Sequence, residues 1–340
     1  MPAMDTAADP PDDEHGRGRA AAEPTDIPAR GWKDILTRAR VEAKEDHITL
    51  LAAGVAFYAL LALAPALIAL ITIYGVAVDP ATIDRQIANS LAAAPDEVRE
   101  LVATQLQSIQ DSSSGAATLA TILGLLIALW SASSGVQNLV EAVNIAYDER
   151  ETRGFVRKKG LALALTLGAV AFVVVSFGVI ALVPELLEDT GLGAAARWGV
   201  GIVRWVVLGV AVLTALAVLY RYAPNRDNPQ WAWVSLGAIC AAVLWLIASI
   251  AFSIYTANFA KYNDTYGSLG AVVVLMLWLW LSVLAVLIGA EINAEMERQT
   301  AHDTTEGAPA PMGTRDAYAA DTLGETADEA RERDSVDVDR

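Results

Sequence analysis

The stretch LALALTLGAVAFVVVSFGVIALV, residues 161–183, carries no charge and shows no polar face. About 20 apolar residues in a helix cross a hydrocarbon core about 30 Å thick. A soluble helix of that length would expose one polar stripe to water. This stretch has nothing to offer water, so it reads as a membrane span. Inside lipid the backbone must satisfy its own hydrogen bonds, which makes the span a helix.

Working outward, five more segments read the same way. The spans fall at about 48–74, 116–138, 160–183, 199–220, 232–255 and 268–291. Pro65 lies inside the first and removes one backbone donor there. The fold class expected is all-α: a polytopic membrane helix bundle with six transmembrane helices. Residues 30–298 form that domain.

The connections set an orientation. Arg30, Lys33, Arg38, Arg40 and Lys44 precede the first span. Arg150, Arg153, Arg157, Lys158 and Lys159 follow the second, and Arg221 and Arg226 follow the fourth. The alternate connections are poorer, with Arg85, Arg99, Arg197 and Lys261. Basic residues stay on the cytoplasmic side, so both termini are expected in the cytoplasm. Residues 31–46, GWKDILTRARVEAKED, place Trp32, Ile35, Leu36 and Ala39 on one helical face. That pattern suits an interfacial helix, apolar side toward the bilayer. The long first outer loop, about 79–115, has spaced apolar positions from Leu91 to Ile109 and predicts an extracytoplasmic helical cap. Tyr255, Asn258, Tyr262, Asn263, Asp264 and Tyr266 crowd the fifth connection, as an aromatic belt would.

The net charge of −16 sits mostly in the two ends. Residues 1–29 and 299–340 are acidic, rich in Ala, Pro and Asp or Glu, and without apolar periodicity. They read as disordered tails. An acidic chain with no broad basic face is a poor nucleic-acid binder, so no nucleic-acid partner is expected. One cysteine, Cys240, excludes an internal disulfide. His15, His47 and His302 are scattered, so no metal site and no cofactor are expected. No phosphate-binding loop of the form GxxxxGK[ST] occurs.

Several motifs stand in a fixed order. They are AAGVAFYALLALAPALIALITIYG (52–75), LWSASSGVQNLVEAVNIAYD (129–148) and LYRYAPN (219–225). Tyr255, Tyr262, Tyr266–Gly267, Trp278 and Gly289–Ala290–Glu291 follow. Over about 31–298 the chain resembles the YihY/BrkB family of bacterial inner-membrane proteins. That resemblance implies a six-helix membrane fold in the bacterial inner membrane. The family has carried two labels, tRNA-processing ribonuclease BN and virulence or serum-resistance factor. A metal-dependent ribonuclease needs clustered His and Asp ligands around an activated water. The residues offer no such cluster outside the tails, and the chain is not expected to be an enzyme.

Polar groups in or beside spans are the natural site candidates, because lipid makes them costly. Ser134, Asn138 and Glu141 share one face of the second helix, flanked by Gln137 and Asn144. They would line a path for a headgroup, proton or ion, or else join helices by hydrogen bonds. Glu291 ends the last span at the same level, where pairing with the Arg153–Lys159 cluster would make a clasp. Arg153, Arg157, Lys158 and Lys159 are candidate contacts for anionic headgroups. Gly124, Gly168, Gly178, Gly209 and Gly237 suit helix packing. The function expected is transport or flipping of an envelope lipid or other amphiphile, not ATP-driven by the chain itself. A non-transporting scaffold of envelope machinery is the alternative. Membrane lipids are the expected partners, with a second copy or an envelope protein left open.

Overall fold

The computed structural model describes residues 16–77, 104, 115–188, 194–259 and 268–338. Short or amphipathic elements aside, the described chain is built from long apolar helices. Helix α1 spans Ala29–Glu45. Six long helices follow: α2 (Ile48–Ala77), α3 (Gly115–Ala146), α4 (Phe155–Glu188), α5 (Ala194–Tyr222), α6 (Trp231–Phe259) and α7 (Ser268–Glu297). Two short helices, α8 (Tyr318–Asp321) and α9 (Ala327–Val338), close the described chain. All six long helices are apolar and long enough to cross a bilayer. They centre on the six segments read from hydropathy. The expected cap and most of the fifth connection lie outside the described residues.

The helices overrun the expected spans at their polar ends. α3 continues to Ala146 and α7 to Glu297. These extra turns carry side chains that pack on protein, which lipid thickness does not limit. Two of the breaks contain a residue in left-handed backbone. His47 (φ 51°) separates α1 from α2, and Asp148 (φ 56°) follows the end of α3. Short polar side chains tolerate that conformation better than branched ones.

The chain divides into two units. The first holds the residues up to Ala53, Glu141–Thr152 and everything from Leu216 on. The second holds Gly54–Val140 and Arg153–Ala215.

In the first unit α7 packs along α6 and against α1, and α9 packs on α1. Ile35, Trp233 and Met296 form a buried cluster with Ala21 and Ile27. The apolar face of α1 therefore meets protein at Ile35 and Ala39. Arg38 is buried and paired with Glu295.

The ends described also differ from the disordered tails read from composition. A short 3₁₀ turn covers Pro24–Asp26. Asp34, itself buried, accepts from Arg17 at 2.8 Å and caps the Ala327 amide at 2.9 Å. It thereby ties both ends to α1. Residues 304–306 pair with 228–230: Gln230 N–H donates to Thr304 O at 2.8 Å, and Glu306 N–H to Asn228 O at 2.9 Å. The buried Arg315 guanidinium donates to the carbonyls of Ala301, His302 and Ala320. Small side chains fill the space, among them Ala317, Ala319, Ala320, Ala327 and Ala330. Residues 1–15 of the N-terminal segment lie outside the described set.

In the second unit, Ala69 packs against Ala128 and Leu129. A side chain on Gly135 would press on Ala62. Large apolar groups such as Ile127, Val175 and Trp205 stand more than 60% exposed within the protein. Lipid solvates such surface where water would not.

Glycine placement departs from the expected packing set. Gly237 is packed: a Cβ there would overlap Asn293 and the Gly289 carbonyl. Gly289 is its counterpart on α7, against Tyr220 and Ala241. Gly124, Gly168, Gly178 and Gly209 face open space. Gly237→Ala is accordingly expected to destabilise the protein by about 1–3 kcal/mol through overpacking. Gly168→Ala should be neutral or mildly stabilising, since a helical Gly costs about 1 kcal/mol relative to Ala. Thermal unfolding of the purified variants in detergent checks both, and equal melting temperatures would contradict the α6–α7 packing.

Candidate functional site

The site is built where α7 runs past its apolar stretch. Glu291, Glu295 and Glu297 follow Leu287 and Ala290, and all of them are buried. A buried carboxylate is costly unless a cation and hydrogen bonds compensate it. The first unit supplies these from far along the chain.

Glu297 receives a two-pronged contact from Arg226, at 3.1 and 2.7 Å. Both side chains are fully enclosed. Thr304 Oγ1 donates to the same carboxylate at 2.5 Å. The Arg226 guanidinium lies over the Tyr147 ring, 5.6 Å from its centre. Burial and the Glu297 charge push the Tyr147 hydroxyl well above its ordinary pKa. Glu295 is paired with Arg38 and with Arg298. Arg38 further donates to Gln299 Oε1 at 2.9 Å and to the Glu325 carbonyl at 2.6 Å. Glu42 accepts from Arg298 at 3.3 Å and Arg333 at 3.0 Å.

Glu291 is different. It is 2% exposed and its Oε1 has no hydrogen-bond partner. The charges nearest to it are carboxylates: Asp46, Glu295, Asp148 and Glu42. The Arg153–Lys159 cluster, its expected clasp partner, belongs to the second unit. Asp46 follows the last residue of α1. Burial, with the Asp148 charge second, pushes the Asp46 carboxyl up to about 6. Burial likewise raises Asp148 and Glu149 above the usual carboxylate range. A polar cleft of about 630 Å³ opens beside them, lined by Glu149, Arg150, Asn225 and Tyr318 among others.

The predicted stripe on α3 is divided between the units, with the boundary after Val140. Asn144 belongs to the first. Its Oδ1 accepts from the Asn225 amide at 2.7 Å and its Nδ2 donates to Glu151 at 3.2 Å. Asn225 in turn donates to Arg150 O and Thr152 Oγ1, both at 2.7 Å. This pair clamps two connections together. Glu141 is half-buried on the same turn.

The other candidates lie in the second unit. Asn138 donates back to Ser134 O at 2.8 Å, within its own helix, and Gln137 is half-buried. Lys159 is buried near the start of α4. Its Nζ donates to Trp130 O at 3.0 Å and reaches Ser134 Oγ at 3.4 Å. It also stands 4.5 Å from the centre of the Trp130 ring. Among the described residues no carboxylate pairs with it. Arg157 is exposed, and Arg153 and Lys158 are half-buried.

Asp46, Asp148, Arg226, Glu297 and Asn293 were not singled out from the sequence. Asn293 accepts from the Gly237 amide at 2.8 Å and donates to Val234 O at 3.3 Å. The run Glu291, Asn293, Glu295, Glu297 on an otherwise apolar helix was the available signal. No three His, Cys, Asp or Glu side chains among the described residues converge as metal ligands would.

Six membrane-crossing helices joined to a polar, ion-paired end define a multi-pass α-helical membrane protein. Residues 39–313 match the family model described as Virulence factor BrkB, and the chain belongs to that family. A UPF0761 membrane protein of Alteromonas mediterranea is 29% identical over 78% of this chain and 88% of its own length. One from Aeromonas salmonicida is 32% identical over 46% of this chain and 54% of its own. A Bacillus subtilis protein bearing a ribonuclease-like name, YfkH, is 32% identical over 52% of this chain. That match spans 65% of the Bacillus protein, just under two thirds of it. No solved structure matches.

Two outcomes follow from the buried charges. Removing one partner of a buried pair costs about 3–5 kcal/mol, whereas replacing both by apolar groups is often tolerated. Arg226→Met should therefore unfold the first unit readily, and Arg226→Met with Glu297→Leu should recover much of the loss in a melting experiment. Asp46 binds its proton more tightly folded, at about 6, than at its ordinary 3.8. The stability linked to it is full below the ordinary value and is lost as pH rises through the folded one. The melting temperature should fall between about pH 4 and about pH 6.5, and Asp46→Asn should flatten that fall.

Proposed function

We propose that this protein moves an anionic amphiphile, of the envelope-lipid type, between the leaflets of the bacterial inner membrane. In this reading both termini lie in the cytoplasm and no ATP is bound by the chain. The observation that carries it is Lys159. Its ammonium is enclosed at the start of an apolar span, beside Ser134 and against the Trp130 face. Ionisable groups at membrane depth are costly and serve substrate paths more often than structure. A cation without a carboxylate partner suits a phosphate or carboxylate headgroup, with the exposed apolar faces of α3 and α4 accommodating acyl chains. Arg153, Arg157 and Lys158 on the adjoining connection would gather such headgroups at the membrane surface. Ser134, Gln137 and Asn138 supply uncharged polar contacts along the same helix.

The scaffold reading keeps one supporting observation. Residues 314–338 lie beyond the family match yet are folded, with α9 on α1. The test separates the two. Protein in liposomes is assayed with labelled anionic and zwitterionic lipids, following their appearance in the opposite leaflet. Lys159→Met should slow the anionic lipid at least about tenfold, with Lys159→Arg between. Wild-type rates no faster than empty liposomes would sink the transport reading. In cells, loss of function on deleting α9 with Lys159→Met silent would favour the scaffold.

A further inference from the structure

The connection between α5 and α6 begins and ends on aromatic rings. Tyr222 is the last residue of the bilayer-length apolar stretch of α5, and Trp231 is the first of that of α6. Their rings lie 6.4 Å apart at 76° to each other, and both side chains are exposed. Tyr and Trp collect at the level of lipid headgroups, where the ring meets hydrocarbon and the polar tip meets water. The two rings therefore mark the bilayer surface at this end of α5 and α6.

The Arg221 guanidinium lies against both rings, 4.5 Å from the centre of Trp231 and 5.5 Å from that of Tyr222. Arg221 is only 3% exposed. Nη1 donates to the Pro229 carbonyl, and Nη2 pairs with Glu306. Nε shares an edge with Nη2, and that edge matches two oxygens of a carboxylate or phosphate. Yet Nε is enclosed and has no acceptor among the described residues. An edge built for two prongs is thus half used. An enclosed donor without an acceptor is costly, and an anion reaching both prongs removes that cost.

The anion now in place is replaceable. The Glu306 side chain is 53% exposed, while its own amide anchors the backbone to Asn228 O at 2.9 Å. Turning the side chain into water frees the edge without unseating the segment. Along α6, Ile239, Val243, Leu246 and Ile250 form an exposed apolar stripe, the surface an acyl chain needs.

We propose that Arg221, Tyr222 and Trp231 bind the phosphodiester headgroup of an anionic phospholipid, with Glu306 standing in for the phosphate when the site is empty. The two unesterified oxygens of a phosphodiester fit Nε and Nη2 together. The site belongs to the first unit and Lys159 to the second. It is a lipid-binding site in its own right and does not depend on transport.

Trp231 reports its own occupant. Full-length protein is placed in vesicles of phosphatidylglycerol and phosphatidylcholine, with one or the other lipid brominated. The Trp231 share of the emission is the difference from a Trp231→Phe counterpart, which keeps a ring over the guanidinium. Brominated phosphatidylglycerol should quench Trp231 with about fivefold preference, the scale of one basic side chain at an anionic surface. Glu306→Gln should raise that preference about threefold, the scale of one exposed ion pair. Arg221→Lys keeps the charge but loses the fork, and should remove most of the preference. Equal quenching by the two lipids overturns the proposal, as does a preference that Arg221→Lys retains in full. A preference that Glu306→Gln leaves unchanged or lowers also overturns it. That variant alters a half-exposed side chain, so its result is readable even where Arg221→Lys fails to fold. Quenching abolished by free glycerol phosphate would mark a soluble ligand and overturn the lipid assignment. Vesicles in which no lipid changes leaflet would remove the transport reading and leave this site standing.

Discussion

A carboxylate taken out of water has to be met by a cation, and Glu295 and Glu297 impose that demand on much of the first unit. They flank Met296 at the end of α7, and each is answered by a guanidinium from elsewhere in sequence. Arg38 comes from the N-terminal helix and Arg226 from the connection before α6. Satisfying them fixes α1 against α7, seats the connection after α5, and leaves Arg38 free to bind the Glu325 carbonyl. The apolar cluster of Ile35, Trp233 and Met296 then closes around the same point. The ion pairs determine which surfaces meet, and the apolar groups fill what remains.

The six spans were legible because bilayer thickness constrains length and composition at once. α4 has no alternative reading. Their polar ends were less so: Asn144 was visible as a candidate, but its partner Asn225 lies 81 positions away and nothing in local spacing announces it. The acidic ends misled for a related reason. Their composition matches that of disordered chains, yet Asp34 and Arg38 supply remote partners that composition does not count. Small residues misled in another way. A glycine facing lipid and a glycine facing a helix look alike in sequence, and only Gly237 of the expected set meets a neighbour.

Glu291 shows the converse. The sequence placed it at the right level of the right helix, and the surroundings changed its meaning. Its Oε1 is buried without a hydrogen-bond partner among the described residues. Lys159 makes the complementary point in the second unit, where the aromatic ring and carbonyl of Trp130 solvate an ammonium without neutralising it.

The bond from Arg38 to the Glu325 carbonyl joins residues 287 positions apart. Helix α1 leaves the ribosome before these six spans do, while the segment that covers it is made after them. Contacts of such long sequence separation form late, after the loop between them can close. Through the whole period of membrane insertion, Asp34 therefore lacks the Ala327 amide and Arg38 the Glu325 carbonyl. The seating of α9 comes after all six spans, and any intermediate caught before it would display the buried guanidinium and its carboxylates to proteases and chaperones.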